Sequence, residues 1–364
     1  MNPGFRNEID ITVWLAKDTI ADVAILPRSR LPLTRLFAGK PVSSLLSVLP
    51  RLFSLCSVAH QVAFLGAVEA ARGEDCPPET MHRRVTAVVA ERLAELFRGL
   101  FVGQLTLDGA SAAAVRAMMQ ATAVLGDLLG EGGQVSARCE AVSRIKAVLA
   151  ALGIAGEGEA LTPGSALAAH FSSFDGHALL QPVVEHSFLS VADDLDVIMR
   201  LLADGASFSD APDLQGRIPE TGVWARRVRR QPVLPPSAGP AERLKARIAE
   251  VTRLCSWLET GDEALEDGVV DSYRLGAGRG AAAVECARGR LYQIVECNNE
   301  NRIVRFESLA PTEWNFHARG PLVRSLQGSA LAAGRQGQNA VRTLIGSFDP
   351  CVGFNLSFRE VGHA

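Results

Sequence analysis

Two short runs near opposite ends of the chain constrain its fold more than anything between them. Near the start stands Arg51-Leu-Phe53-Ser-Leu-Cys56-Ser-Val-Ala-His60, followed by Ala63 and Glu69. Near the end stands Asp349-Pro350-Cys351-Val-Gly-Phe354. Each run offers one cysteine, and soft thiolates are the ligands that soft metals select. For both to serve one site, the fold has to close the beginning of the chain on its end. Further blocks lie between them: Glu285-Cys286-Ala287-Arg288-Gly289, Ile303-Val304-Arg305-Phe306 and Pro311-Thr312-Glu313-Trp314-Asn315. The run Val341-Arg342-Thr343-Leu-Ile-Gly-Ser347-Phe348 then leads into the last cysteine motif.

In this order the blocks resemble the large subunit of nickel–iron hydrogenases. There R-x-C-x-x-C-x-x-x-H and D-P-C-x-x-C supply four thiolates to a Ni–Fe centre, and E-A-P-R-G and P-T-T-W-N lie between them. Phe53 stands where the first cysteine of the first pair would be, and Phe354 where the second cysteine of the last pair would be. The two phenyl rings are expected to fill the volume of the missing thiolates and nickel. The histidine that follows the last pair is Ser357, and R-I-E-G-H-L has no counterpart around Pro3-Gly4-Phe5. The chain is expected to lack the C-terminal extension that a maturing large subunit loses to a protease. These departures make it most similar to hydrogenase accessory proteins of the HupK/HoxV type.

The resemblance implies a maturation scaffold and not an enzyme. Such a protein transiently holds an Fe(CN)2CO moiety and passes it to the apo large subunit. Two thiols cannot supply the four-sulfur nest for nickel, so no nickel is expected. Cys56 matches a position that bridges both metals, and Cys351 matches a nickel-only one. His60 matches a histidine beside the cofactor, where a ring N–H steadies a ligand. Arg288 matches an arginine near an iron-bound cyanide, where a fixed cation with several donors suits an anionic diatomic ligand. Replacing Arg288 is expected to remove donors without unfolding the chain. The implied partners are the hydrogenase large subunit and a small chaperone that delivers the iron. One alternative is a metal-free structural subunit of a larger redox complex with the same fold, and another is a Cys56–Cys351 disulfide, which needs Cα atoms about 4.4–6.8 Å apart.

Composition narrows the remaining choices. A chain of 364 residues with 48% hydrophobic content can bury a large core. A net charge of −3 gives no reason to expect nucleic acid. Seven irregularly spaced cysteines, with no signal-peptide pattern, fit a reducing cytoplasm. Cys76, Cys139, Cys255 and Cys297 read as small buried hydrophobes, while Cys286 differs by lying beside Arg288. Leu52 to Val68 is uncharged but shorter and more polar than the ~20 apolar residues of a membrane span, so it reads as a buried helix.

Periodicity supplies the elements. Alternation predicts a β-hairpin over 8–27. A helix could start at Pro41-Val-Ser43-Ser44, and Pro50 opens another that carries Cys56 and His60 one turn apart on one face. Helical spacing predicts helices over Glu79 to Phe101, Ser111 to Leu129, Ala137 to Leu152, Val191 to Ala203 and Ala241 to Leu258. Gly130 and Gly153 stop the second and third. The run Arg226-Arg227-Val-Arg229-Arg230 and the proline-rich 231–240 read as a loop with a solvated basic face that could meet an acidic partner. Strands are expected over Ala282 to Cys286, Arg290 to Cys297 and Arg302 to Glu307, with Asn298 to Asn301 as a turn. The expected architecture is α+β: one domain over 1–364, mainly a helical bundle with small peripheral sheets. Its parts are the hairpin 8–27, a helical core 41–260 and a mixed region 270–358.

Overall fold

The strand Ile9–Ala16 buries Ile9, Ile11 and Val13 on one face and pairs antiparallel with Thr19–Leu26, as alternation requires. Lys17, at φ 56°, makes the tight turn between them. Its other edge is taken by the strand Phe354–Glu360, which runs parallel to it, Ile9 opposite Phe354 and Leu15 opposite Glu360. The end of the chain is thereby hydrogen-bonded to its beginning, three residues beyond Cys351. In this computed structural model the described residues are 6–102, 105, 107–125, 135–156, 158–174, 179, 181–182, 188–230, 237–260 and 268–361.

The helices Pro78–Phe101, Gly109–Leu125, Val135–Ala151 and Pro240–Thr260 share one apolar core. Leu93, Leu96, Phe97, Val115, Met118, Val142, Ile145, Leu149, Ile248 and Val251 meet there at helical spacing. The ends expected at Leu129 and Gly130 lie outside the described residues. A second body is the antiparallel sheet Val270–Arg274, Arg279–Cys286, Gly289–Cys297 and Ile303–Leu309, paired in chain order. Both of its faces are covered. Ala282, Val284, Leu291 and Val295 face Ala63, Phe64 and Ala67 of the helix Ser57–Arg72. The alternate residues Ala281, Ala283, Tyr292 and Ile294 face Val197, Ile198 and Leu201 of the helix Asp194–Asp204. Gly280 lets the cysteine helix approach, since a Cβ there would stand 2.3 Å from the Ala67 carbonyl oxygen. The class is α+β, with small sheets beside a larger helical mass.

Two local expectations need correction. The helix opened by Pro50 does not continue through Cys56. It is a single turn, Leu49–Leu52, after which Phe53 leaves the helical region, and a new helix, Ser57–Arg72, begins after Cys56. Glu91, from the helix Pro78–Phe101, competes for the free N–H groups at that start. Val58 and Ala59 donate to its two oxygens at 2.7 and 2.9 Å. The start near Pro41 is likewise only a 3-10 turn, Val42–Ser44.

The arginine run is the second correction. Val223–Arg230 is a helix, and Arg226 is completely buried. Its Nε donates to Glu250 at 3.0 Å and its Nη1 to Glu285 at 2.6 Å, so two carboxylates compensate a cation that water no longer solvates. Charge alone could not announce this, because the two partners lie far along the chain. Of the proline-rich stretch that follows, 231–236 lies outside the described residues, and Ser237–Ala238 pairs with Gln181–Pro182. Among the described residues no helix is long and apolar enough to cross a membrane.

Candidate functional site

Cys56, His60, Arg288 and Cys351 line one cavity of about 140 Å³, joined by Arg28, Phe53, Cys286 and Thr312. Each reaches it by a different local device. Cys56 is the residue before the first turn of Ser57–Arg72, so the interruption that replaced the expected continuous helix places it on the cavity wall. Arg288 sits in the two-residue turn between paired Cys286 and Gly289. Gly289 adopts φ 128°, and a side chain there would strike Thr221. Cys351 arrives just before the closing strand, after Asp349 at φ 51°.

Arg288 ties these pieces together. Its Nη1 donates to Glu95 Oε2 at 3.1 Å and reaches the Cys56 sulfur at 3.5 Å. Its Nε donates to the Asp349 carbonyl oxygen at 3.1 Å, with the Asp349 carboxylate 3.5 Å away. Burial works against the guanidinium charge, yet Asp349, Cys56, Glu95 and Cys351 around it hold its pKa above the ordinary arginine value. It stays a cation.

The thiols differ from one another. Cys56 and Cys286 both line the cavity; interaction between the two thiols, together with burial, raises Cys56 well above an ordinary thiol, and the same interaction lowers Cys286 although burial opposes it. Cys351 lies 3.1 Å from Thr312 Oγ1, and burial raises its pKa. All are free thiols, so no disulfide joins Cys56 to Cys351. His60 is buried and stacks on Phe53 with ring centroids 3.7 Å apart and planes 6° apart. Burial and Arg28 lower its pKa to about 3, so the ring is neutral. Gln293 Nε2 lies 2.8 Å from Nδ1, a contact that leaves Nε2 to carry the ring proton. Among the described residues no three His, Cys, Asp or Glu side chains cluster as a self-sufficient ion site.

The four residues expected at the site therefore meet, but the aromatic replacement is half right. Phe53 lines the cavity, whereas Phe354 does not. It begins the closing strand opposite Ile9 and packs with the apolar cluster of that sheet, because the parallel pairing carries the chain away from the cavity after Val352. The other four cysteines lie elsewhere, and only Cys255 is fully buried. Reasoning from sequence missed Arg28 and Glu95 and undervalued Cys286. Thr312 stood inside a recognised block, and Cys286 stood two residues from Arg288, which were the available signals. A second cavity, of about 240 Å³, adjoins the first through Arg28 and Thr312.

This arrangement is carried by the fold of a nickel–iron hydrogenase large subunit. The chain superposes on the Ni-Fe-Se hydrogenase from Desulfovibrio vulgaris Hildenborough with a TM-score of 0.59 at 14% identity, covering 93% of this chain and 95% of that one. An NAD+-reducing [NiFe]-hydrogenase gives 0.59 at 16% identity over 94% of each. Residues 242–354 match the family model for nickel-dependent hydrogenase. The sequence relatives are more particular. The chain is 66% identical, over the whole of both chains, to the hydrogenase expression/formation protein HupK of Bradyrhizobium diazoefficiens. It is 34% identical to HupK of Rhizobium leguminosarum bv. viciae over 98% of each, and 26% identical to HoxV of Cupriavidus necator over 90% of each. The chain belongs to the HupK/HoxV family of hydrogenase expression/formation proteins.

Proposed function

We propose that this protein serves hydrogenase formation as a scaffold that takes up an Fe(CN)2CO unit and yields it to the apo large subunit. The observation that carries the reading is the meeting of Cys56, Cys351, His60 and Arg288 in one cavity that lacks the thiols for nickel. A small anionic unit with a thiophilic centre fits what lines it. Cys56 and Cys351 offer sulfur, Arg288 offers a fixed cation for cyanide, and neutral His60 offers a ring N–H. Leu52, Leu55, Leu291, Ala310 and Pro311 supply an apolar wall that excludes water. With few thiols and no second metal to lock it, the cargo is held loosely enough to be handed on. Nothing in this role requires turnover, so the protein acts as a carrier and not an enzyme. The carrier works in the cytoplasm between a small chaperone that delivers iron and the large subunit that receives it.

The test is an infrared spectrum of the protein purified without oxygen from its native host. Cyanide and carbonyl stretches are expected from the native protein and absent from Cys56→Ser, because a hydroxyl is a poor substitute for a thiolate at a soft metal. A native protein without these bands, co-purifying with an iron–sulfur subunit in equal amount, would instead favour a metal-free structural subunit.

A further inference from the structure

Cys286 takes no part in the reading above, yet its surroundings are not those of a structural thiol. It ends the strand Arg279–Cys286, is 2% exposed, and lines the same cavity as Cys56. Neither Cys286 nor Cys56 is in a disulfide, and the two thiols interact closely enough to shift each other's proton affinity in opposite directions. Its backbone is held from behind: the buried Arg226 donates from Nη1 to the Cys286 carbonyl oxygen at 3.1 Å and from Nη2 to that of Ala287 at 3.1 Å. The Arg288 guanidinium stands 3.5 Å from Cys56.

We infer that Cys286 is a sulfur donor at this site and forms with Cys56 a two-thiol grip for a thiophilic metal centre. Two thiolates on one metal, each about 2.3 Å from it, rest roughly 4 Å apart, and Cys56 and Cys286 both open onto one cavity of about 140 Å³, where a metal can meet the two sulfurs. One thiol comes from the start of a helix and the other from a strand packed against it, so both are fixed before any metal arrives. Binding is an exchange of ligands with no redox step. Two S–H bonds break, two S–metal bonds form, and two protons leave to solvent. Arg288 offsets the thiolate charge, and Cys351, on the Thr312 side, stays available as the third sulfur. Among the described residues there is no ready three-ligand cluster, which fits a centre that arrives with ligands of its own.

The inference rests on the scaffold reading for the identity of the cargo but not for the dithiol itself, and two measurements separate them. In the first, the reduced full-length protein is titrated anaerobically with cadmium ion alone, following the ultraviolet thiolate-to-metal band and the protons released. Native protein and Cys255→Ala are expected to bind equally, and Cys56→Ala and Cys286→Ala each at least tenfold more weakly, the double variant being no worse than either single one. Cys286→Ser is the second variant if Cys286→Ala does not fold. Cadmium binding at native strength by a folded Cys286 variant overturns the dithiol. In the second, the infrared bands are read from the native host. Bands intact in a folded Cys286 variant overturn Cys286 as a ligand and leave the scaffold reading standing. Bands missing from the native protein, with cadmium still gripped by the pair, overturn the scaffold reading and leave the dithiol.

Discussion

Arg288 shows how much one side chain at this site has to do. Replacing it is expected to leave the chain folded, and its surroundings add a cost in stability. The residue is 6% exposed and stands between Glu95 and Asp349, so deleting it removes the buried cation they share and leaves Glu95 only the half-exposed Arg98. Breaking a buried pair from one side costs roughly 3–5 kcal/mol. Arg288→Ala is therefore expected to lower unfolding stability by about that amount, measured by chemical denaturation, as well as to shift or weaken the cyanide bands. Arg288→Lys should recover part of the stability, since it restores charge, but not the native bands, since an ammonium lacks the planar fork. Equal stability of Arg288→Ala and native protein would mean that Glu95 and Asp349 do not need the guanidinium.

At the scale of elements, the start of the cysteine helix and the turn bearing Arg288 are each held by a charged residue from another helix. Glu91 caps the first through Val58 and Ala59, and burial raises its pKa from 4.5 to about 7 despite those bonds. A carboxyl with a higher pKa folded than unfolded binds its proton more tightly when folded. Its effect is thus a loss of stability as pH rises from about 4.5 to about 7, with no further loss above. Glu91→Gln is expected to flatten that part of the profile of unfolding midpoint against pH; an unchanged slope would show that Glu91 ionises normally. Arg226 holds the second element, and its partners Glu250 and Glu285 are both kept below the ordinary carboxylate range. Burial opposes this in each, but the surrounding arginines outweigh it. Arg226→Ala should cost roughly 3–5 kcal/mol where a solvated arginine would cost almost nothing. A melting temperature within a degree of native would restore the surface reading.

Across the whole molecule, the cavity exists because the two ends of the chain are paired. Cys56 and Arg288 belong to the cysteine helix and the buried sheet, whereas Cys351 hangs from the hairpin at the start of the chain through the parallel strand Phe354–Glu360. Parallel pairing between such distant segments closes a very long loop, which costs entropy that local contacts never have to meet. Deleting residues 354–364 is expected to leave the helical half and the four-stranded sheet intact by circular dichroism while freeing Cys351. Its alkylation rate should rise at least tenfold, and Cys56 should be far less affected. Equal alkylation rates before and after the deletion would show that the strand does not position the last cysteine.

The sequence by itself determined four residues of the candidate site and most of the longer regular elements. Cys56, His60, Arg288 and Cys351 stand in motifs whose chemistry is local. The amphipathic helices Pro78–Phe101 and Pro240–Thr260, and the alternating strand Ile9–Ala16, are written in spacings of 3.6 and 2. Tertiary structure alone decided that Cys286 shares a cavity with Cys56, that Phe354 leaves the cavity to pair with Ile9, and that Arg226 lies buried against Glu250 and Glu285. Each of these depends on a partner distant in the chain. No periodicity records which distant charge will compensate a buried arginine, or which strand edge will be left open for the end of the chain.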